Sequence, residues 1–164
     1  GERYKSEAER GLIALMGPGF SLLTTALFVW LAMQNADPFM RELALMSAAL
    51  NGFNLLPLMP LDGGHVMQSL MSRLPASAAR TFNLIALAAG VLLALTINSY
   101  ALLIVLFLVA PGLLSGKASA AMRLPALTWG QWMLLAVAYI ATFVFYFDAF
   151  VTLSGMEAQS AAAA

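Results

Sequence analysis

Five apolar runs separated by short polar segments make up most of the chain. The runs cover residues of about 11–33, 43–74, 82–97, 100–114 and 129–153. Because a helix needs about 20 mainly apolar residues to cross the hydrocarbon core of a bilayer, this pattern predicts an all-α, polytopic integral membrane protein. We expect about five transmembrane helices, a polar N-terminal segment at residues 1–10 and a C-terminal tail at residues 154–164. The third and fourth runs are short, so they fit either a tight hairpin of two spans or a re-entrant pair.

The composition supports a membrane protein. Of the 164 residues, 62% are hydrophobic and only 10% are charged, whereas an ordinary soluble domain carries about 25% charged residues. The mean hydropathy is +0.85. Eight Lys or Arg residues balance eight Asp or Glu residues, so nothing indicates nucleic acid as a partner. The chain has no cysteine, which excludes disulfides and cysteine metal sites.

The polar segments carry an asymmetric distribution of positive charge. If the N-terminus lies on one side and each run crosses, seven of the eight Lys and Arg residues lie on that side, and Arg41 alone lies on the other. The seven are Arg3, Lys5, Arg10, Arg73, Arg80, Lys117 and Arg123. The positive-inside rule then predicts a cytoplasmic N-terminus and an outside C-terminus. The expected location is the bacterial inner (cytoplasmic) membrane.

The stretch NGFNLLPLMPLDGGH at residues 51–65 interrupts the second run. Pro57 and Pro60 each remove a backbone donor and clash with the preceding turn, so the helix must kink or open. Asp62 follows, and a charge near the bilayer centre costs at least ~3 kcal/mol on insertion scales. Irregular backbone at membrane depth is tolerated only where protein or a watery cavity covers it. We therefore predict a broken helix with Asp62 facing the bundle interior, beside the helix of residues 11–33.

The depth of Asp62 follows from its distance to the next basic residue. Asp62 precedes Arg73 by eleven residues, which is roughly 16 Å along a helix. The carboxylate would therefore lie inside a hydrocarbon core of ~30 Å. There it needs a partner cation, a metal ion or a proton.

The string NLLPLMPLDGGH resembles the N-x-x-P-x-x-P-L-D-G-G signature of the site-2 protease family, the intramembrane zinc metalloproteases. The earlier string LMGPGFSLL is similar to a Gly-Pro block on the preceding helix of that family. The resemblance implies that Asp62 is the third zinc ligand. It also implies that Asn54 and Pro57 shape a cleft for an unwound substrate helix. The expected partners are membrane lipid and a membrane-spanning peptide substrate.

The chain lacks the other half of the family's zinc site. In the family, two zinc ligands and the catalytic glutamate come from an H-E-x-x-H helix, whose spacing puts both histidines on one face. This sequence has one histidine, His65, and no such motif, so it supplies no catalytic residue. The missing helix would lie upstream of Gly1, a residue that is not an initiator Met. Zinc is expected for the family, and we expect this chain alone not to bind it.

Two functional classes remain open. One is an intramembrane zinc endopeptidase in which zinc polarises the scissile carbonyl and activates water. The other is a non-catalytic membrane subunit that keeps the protease-like scaffold and packs against neighbouring subunits. The missing motif favours the second class for the chain taken alone, and the intact L-D-G-G block favours the first for the parent protein.

Individual residues also have purely structural interpretations. Asp62 could cap the broken helix, because Asp is favoured at helix N-termini. His65 follows three residues later on the same helical face, so it is either a further metal ligand or an interfacial or hydrogen-bonded histidine. Asn54 could bond a backbone group that Pro57 leaves free. Structural roles in close packing and in the break are expected for four glycines and two prolines, namely Gly17, Pro18, Gly19, Pro60, Gly63 and Gly64.

Overall fold

The computed structural model describes residues 4–35, 37–96, 100–114 and 124–162, and every regular element within these ranges is helical. In chain order, the described ranges contain the α-helices α1 (Glu7–Asn35), α2 (Pro38–Asn54), α3 (Asp62–Leu70), α4 (Ala76–Thr96), α5 (Tyr100–Leu114) and α6 (Trp129–Ala162). A single 3₁₀ turn at Met71–Arg73 follows α3. The turn predicted at residues 98–99 lies outside the described residues, as do Arg3, Lys117 and Arg123.

Among the residues that the structure describes, two helices are long and apolar enough to cross a membrane. They are Glu7–Gln34 in α1 and Trp129–Met156 in α6, with mean hydropathies of 1.9 and 2.0. The all-helical class and two candidate spans therefore agree with the sequence. The five crossings stay a prediction, because α2, α3 and α5 have only 17, 9 and 15 residues.

Local capping extends two helices into segments that the sequence suggested to be polar connections. In the N-terminal segment, the Ser6 hydroxyl accepts a hydrogen bond from the Glu9 backbone N–H at 3.1 Å, so α1 begins at Glu7. In the predicted loop at residues 34–42, the Asp37 carboxylate accepts from the Phe39 N–H at 2.9 Å. With Pro38 at the first helical position, this cap starts α2 before the apolar run begins.

The remaining boundaries also differ from the apolar runs. α4 begins at Ala76 and so includes most of the polar segment before residue 82, and α6 continues to Ala162. The second run is divided as predicted, into α2 and α3 with irregular backbone at residues 55–61 between them. By contrast, α1 is continuous through residues 17–19, where the Gly-Pro-Gly sequence interrupts the apolar pattern.

The helix α1 lies at the centre of the main bundle and packs against α2, α3 and α6. The main buried cluster includes Leu15 from α1, Leu55 from the break, Val66 from α3 and Tyr146 from α6. A polar contact joins α1 to α2, where the Thr25 and Ser47 hydroxyls lie 2.6 Å apart. Apolar side chains buried around this contact hold α1, α2 and α6 together.

A second buried cluster joins the α4–α5 pair to the break. Leu58 packs there with Ala94 of α4 and Leu106 of α5, and Leu56, Met59 and Leu61 pack against this cluster. The irregular backbone at residues 55–61 is therefore covered by protein on this side. This covering is what a non-helical segment needs at membrane depth.

The outer surface of the bundle is strongly apolar. Large side chains such as Phe20 and Leu23 on α1, Phe107 on α5 and Leu134 on α6 are 68–78% exposed. Soluble monomers rarely leave apolar surface of this extent uncovered. The exposed side chains fit contact with lipid or with other membrane helices.

Candidate functional site

The break between α2 and α3 forms two tight turns. After α2 ends, the Leu58 N–H donates to the Leu56 carbonyl at 2.7 Å, and the Leu61 N–H donates to the Leu58 carbonyl at 2.9 Å. Pro57 and Pro60 lie within these turns, and the Met59–Pro60 peptide bond is cis. The backbone thus reverses locally and starts again as α3 at Asp62. The prediction that the second span is broken here is confirmed.

The two glycines after Asp62 allow α3 to begin in close contact with the preceding turns. A Cβ atom on Gly63 would lie 2.0 Å from the Leu55 carbonyl oxygen, and one on Gly64 would lie 2.5 Å from the Leu58 carbonyl carbon. Both distances are far below van der Waals contact, and both involve backbone atoms that cannot rotate away. Only glycine fits at these two positions, which explains the Gly-Gly pair beside the aspartate.

Asn54 and Asp62 join the two sides of the break. The Asn54 side-chain N–H donates to Oδ2 of Asp62 at 2.5 Å, and the Asn54 side-chain oxygen accepts from the Asp62 backbone N–H at 3.4 Å. Asn54 therefore bonds a backbone group, but this group is the N–H of Asp62 and not one that Pro57 leaves free. Because Asp62 is the first residue of α3, its negative charge also lies at the favourable end of the helix dipole.

Asp62 faces α1, at the position of the Gly-Pro-Gly sequence. A Cβ atom on Gly17 would lie 3.5 Å from Oδ2 of Asp62, an ordinary van der Waals distance, so the carboxylate lies directly against this residue of α1. Gly17 is ten residues from the start of α1 at Glu7, or about 15 Å along the helix. This agrees with the depth predicted from the distance between Asp62 and Arg73. Gly19 differs, because a Cβ atom there would meet nothing within 4 Å.

His65 lies one turn into α3, within electrostatic range of both Asp62 and Arg10. Its Nδ1 atom is buried and has no hydrogen-bond partner among the residues that the structure describes. Its sequence-based interpretations therefore stay predictions.

A buried ion pair lies beyond His65, where the start of α1 meets the end of α3. The Arg10 guanidinium pairs with the Glu7 carboxylate, and its Nε also donates to the Ser69 hydroxyl at 3.3 Å. The side chains of Arg10 and Glu7 are only 11% and 8% exposed. Both residues were assigned to a polar approach segment, yet they pack against the bundle.

The same end of the bundle includes the segment before α6. The Arg73 guanidinium lies 4.0 Å from the centre of the Trp129 ring and donates to the Leu127 carbonyl at 3.1 Å. The Glu7 backbone N–H donates to the Pro125 carbonyl at 3.2 Å. The ends of α1 and α3 and the start of α6 therefore meet at one end of the molecule.

Sequence reasoning missed three aromatic residues of α6 that bond to the other helices. Trp132, Tyr139 and Tyr146 each donate a hydrogen bond to a backbone carbonyl of an earlier segment. These three residues were assigned no role from the sequence. Their seven-residue spacing, which keeps them near one helical face, is the signal that could have identified them.

The described residues do not by themselves fit a zinc ion. A catalytic zinc site usually takes three protein ligands, and Asp62 contributes one carboxylate that is already hydrogen-bonded to Asn54. No group of three or more His, Cys, Asp or Glu side chains that could hold a metal occurs in the described part of the chain. Two further ligands would have to reach Asp62 from another segment.

The fold and the break define a class: a helical membrane protein with a carboxylate held where one helix is interrupted. The family model of peptidase family M50, the site-2 protease family, matches residues 31–97. The resemblance inferred from the L-D-G-G block is thereby confirmed. The matched segment contains α2, the break, α3 and α4, whereas α5 and α6 lie beyond it. No curated protein and no solved structure matches the chain.

Proposed function

We propose that this chain is the Asp-bearing part of an intramembrane zinc endopeptidase, with Asp62 as one of three protein ligands to the metal. The two histidines and the glutamate of an H-E-x-x-H helix would complete the site, and these 164 residues do not contain that helix. When bound, zinc would supply a Lewis acid at the break. The substrate class is a membrane-spanning peptide.

The observation that carries this proposal is the position of Asp62. A carboxylate is held by Asn54 where the helix breaks and faces the glycine at position 17 of α1. The match to peptidase family M50 over the same segment supports the same assignment.

The proposal includes an orientation in the membrane. The N-terminus is cytoplasmic, the C-terminus is outside, and the host membrane is a bacterial inner membrane crossed five times. The shared location of Arg10 and Arg73 at one end of the bundle supports this orientation under the positive-inside rule. Arg41, in the first turns of α2, lies near the far end of α1.

Metal analysis of the purified chain is the direct test. The chain alone should contain no stoichiometric zinc. Supplying an H-E-x-x-H helix, fused or co-expressed, should produce one zinc per chain and cleavage of a fluorescent transmembrane peptide. Asp62→Ala should then weaken zinc binding by more than the roughly 10- to 100-fold that second-shell changes cost.

Two matched variants sharpen this experiment. His65→Ala should leave zinc affinity nearly unchanged, and Asp148→Ala should do the same because that carboxylate is exposed on α6. One zinc per chain without any added helix would mean that the ligand set is different and includes His65. No zinc even with the helix present would favour the alternative, a non-catalytic subunit that uses the same scaffold for packing.

A further inference from the structure

The helix α6 carries a hydrogen-bond donor on an aromatic side chain at every seventh residue, at Trp132, Tyr139 and Tyr146, and the fully buried Leu153 continues the series. Seven residues are nearly two helical turns and rise about 10 Å. The three donors therefore lie one above another on the face that meets the rest of the bundle. Each one reaches a backbone carbonyl of an earlier segment.

The middle donor acts directly on the break. The Tyr139 hydroxyl donates to the Leu55 carbonyl oxygen at 2.7 Å, and Leu55 is fully buried. Leu55 caps the end of α2, where carbonyls lack an intrahelical partner. The same oxygen is the atom against which Gly63 packs. Tyr139 therefore fixes the surface on which the first turn of α3, and with it Asp62, rests.

The third donor, Tyr146, acts on α1, the helix that Asp62 faces. The Tyr146 hydroxyl donates to the Pro18 carbonyl at 2.5 Å, one residue after the Gly17 position that faces the carboxylate. Tyr146 is fully buried, so its hydroxyl has no water to bond instead. This contact holds the Gly17 region of α1 at a fixed height on α6. One helix thus holds both surfaces that enclose Asp62.

The first donor reaches the far end of α3. Trp132 donates from its indole nitrogen to the Leu70 carbonyl at 2.9 Å, at the last residue of this nine-residue helix. At the other end of α3, Tyr139 acts indirectly, through the Leu55 carbonyl against which Gly63 packs. Sliding of α3 along α6 would break the Trp132 hydrogen bond, which leaves a carbonyl unsatisfied at a cost.

We propose that Tyr139 and Tyr146 are positioning residues that set the location of Asp62 relative to α1, Tyr139 by fixing the break and Tyr146 by fixing α1. As a positioning role for the metal-binding carboxylate, this inference rests on the proposed function. The geometric role itself concerns only the chain's own atoms. It extends the site to α6, which lies outside the segment matched by the peptidase family.

Disulfide cross-linking measures this geometry without zinc or substrate. Because the chain has no native cysteine, only the introduced cysteines can react. One cysteine pair, Asn54→Cys with Asp62→Cys, spans the break. The other pair, Gly17→Cys with Asp62→Cys, joins α1 to α3. The rate of oxidative cross-linking in the full chain is measured for each pair with the native tyrosines, with Tyr139→Phe and with Tyr146→Phe. Tyr100→Phe, at a tyrosine that is 77% exposed, is the matched control.

Tyr139→Phe should slow cross-linking of both pairs by about fivefold, the factor that corresponds to one buried hydrogen bond of about 1 kcal/mol. Tyr146→Phe should slow only the pair that includes Gly17→Cys, and Tyr100→Phe should slow neither. All rates are compared at temperatures at which each variant retains its helical circular dichroism, so lower stability alone does not change the readout.

Two results would overturn the proposal. One is a Tyr139→Phe chain that cross-links as fast as the Tyr100→Phe control. The other is equal slowing of both pairs by Tyr146→Phe, which would indicate general loosening rather than separate control of the break and α1. Failure of zinc binding in the earlier experiment would leave these rates unchanged, so the two proposals can fail independently.

Discussion

Asn54 and Asp62 hold each other across the break, and the asparagine amide uses both of its polar ends to do so. The nitrogen donates to the aspartate carboxylate, and the oxygen accepts from the aspartate backbone N–H. The end of α2 and the start of α3 are therefore tied by one side chain. A carboxylate placed in this way is restricted in rotation before any ligand arrives, which is the preorganisation that a metal or substrate site needs.

Replacing Asn54 by Ala should destabilise the fold by about 1–3 kcal/mol, because both the Asp62 carboxylate and its N–H would lose a partly buried partner. Asn51→Ala is the matched control, since the Asn51 amide bonds only within α2, to Ser47. Equilibrium unfolding in detergent measures both. Equal effects of the two substitutions would contradict the idea that Asn54 holds the break together.

Gly63→Ala should be far more damaging than Gly19→Ala. The added methyl group on Gly63 would overlap the Leu55 carbonyl, so we expect a loss of about 3 kcal/mol or more. At Gly19 the methyl group meets open space, and alanine should stabilise α1 by about 0.5–1 kcal/mol. The thermal unfolding midpoints of the two variants test this. A Gly63→Ala chain as stable as the native chain would show that the first turn of α3 is not closely packed.

The buried ion pair of Glu7 and Arg10 should behave as one unit. Removing either partner alone, by Glu7→Gln or Arg10→Met, leaves an uncompensated buried charge or donor and should cost about 3–5 kcal/mol. The double variant should lose less than the sum of the two, with a coupling of about 1–3 kcal/mol. Arg80→Met, at an exposed position of α4, should change the free energy of unfolding little.

This double-mutant cycle has a clear contrary outcome. Additive losses for Glu7→Gln and Arg10→Met would mean that the two charges act separately. Arg10 would then stabilise α3 only through its bond to Ser69, and Ser69→Ala should reproduce the full effect of Arg10→Met.

Reporter fusions should place the loop at residues 34–42 and the C-terminus outside the membrane. The same fusions should place the loops at residues 72–80 and 115–128 in the cytoplasm, because seven of the eight basic residues belong to that side. Replacing Arg41 by a neutral residue should not change this pattern. A cytoplasmic C-terminus would exclude the arrangement with five crossings.

The sequence identified the break because each cause of it is local. Pro57 and Pro60 remove backbone donors, and the glycine after Asp62 permits the close approach to Leu55, so the interruption and the inward aspartate could be predicted from residue types. The hydrogen-bond partner of that aspartate was harder to predict from the sequence. The sequence predicts that Asn54 either bonds a free backbone group or contacts substrate. Its hydrogen bonds to the carboxylate and the backbone N–H of Asp62 depend on how the turn folds.

The contributions of α6 could not be predicted because their acceptors are backbone carbonyls. Every residue carries such a carbonyl, so the sequence gives no sign that Leu55 or Pro18 will receive a hydrogen bond from Tyr139 or Tyr146. The buried pair of Glu7 and Arg10 was missed for a related reason. A polar segment next to an apolar run indicates the membrane–water interface. The burial of this pair results from the packing of α1 on α3, which the sequence does not reveal.

The distance along the chain between each carbonyl and its aromatic donor has a consequence for biosynthesis. Tyr139 follows Leu55 by 84 residues, so at about 5–20 residues per second the Leu55 carbonyl is synthesised about 4 to 17 seconds before its donor. The chain completes α3 within that interval, while the Leu55 carbonyl still lacks the Tyr139 hydroxyl. The contact that α6 makes with the break therefore forms last, after α6 has been synthesised.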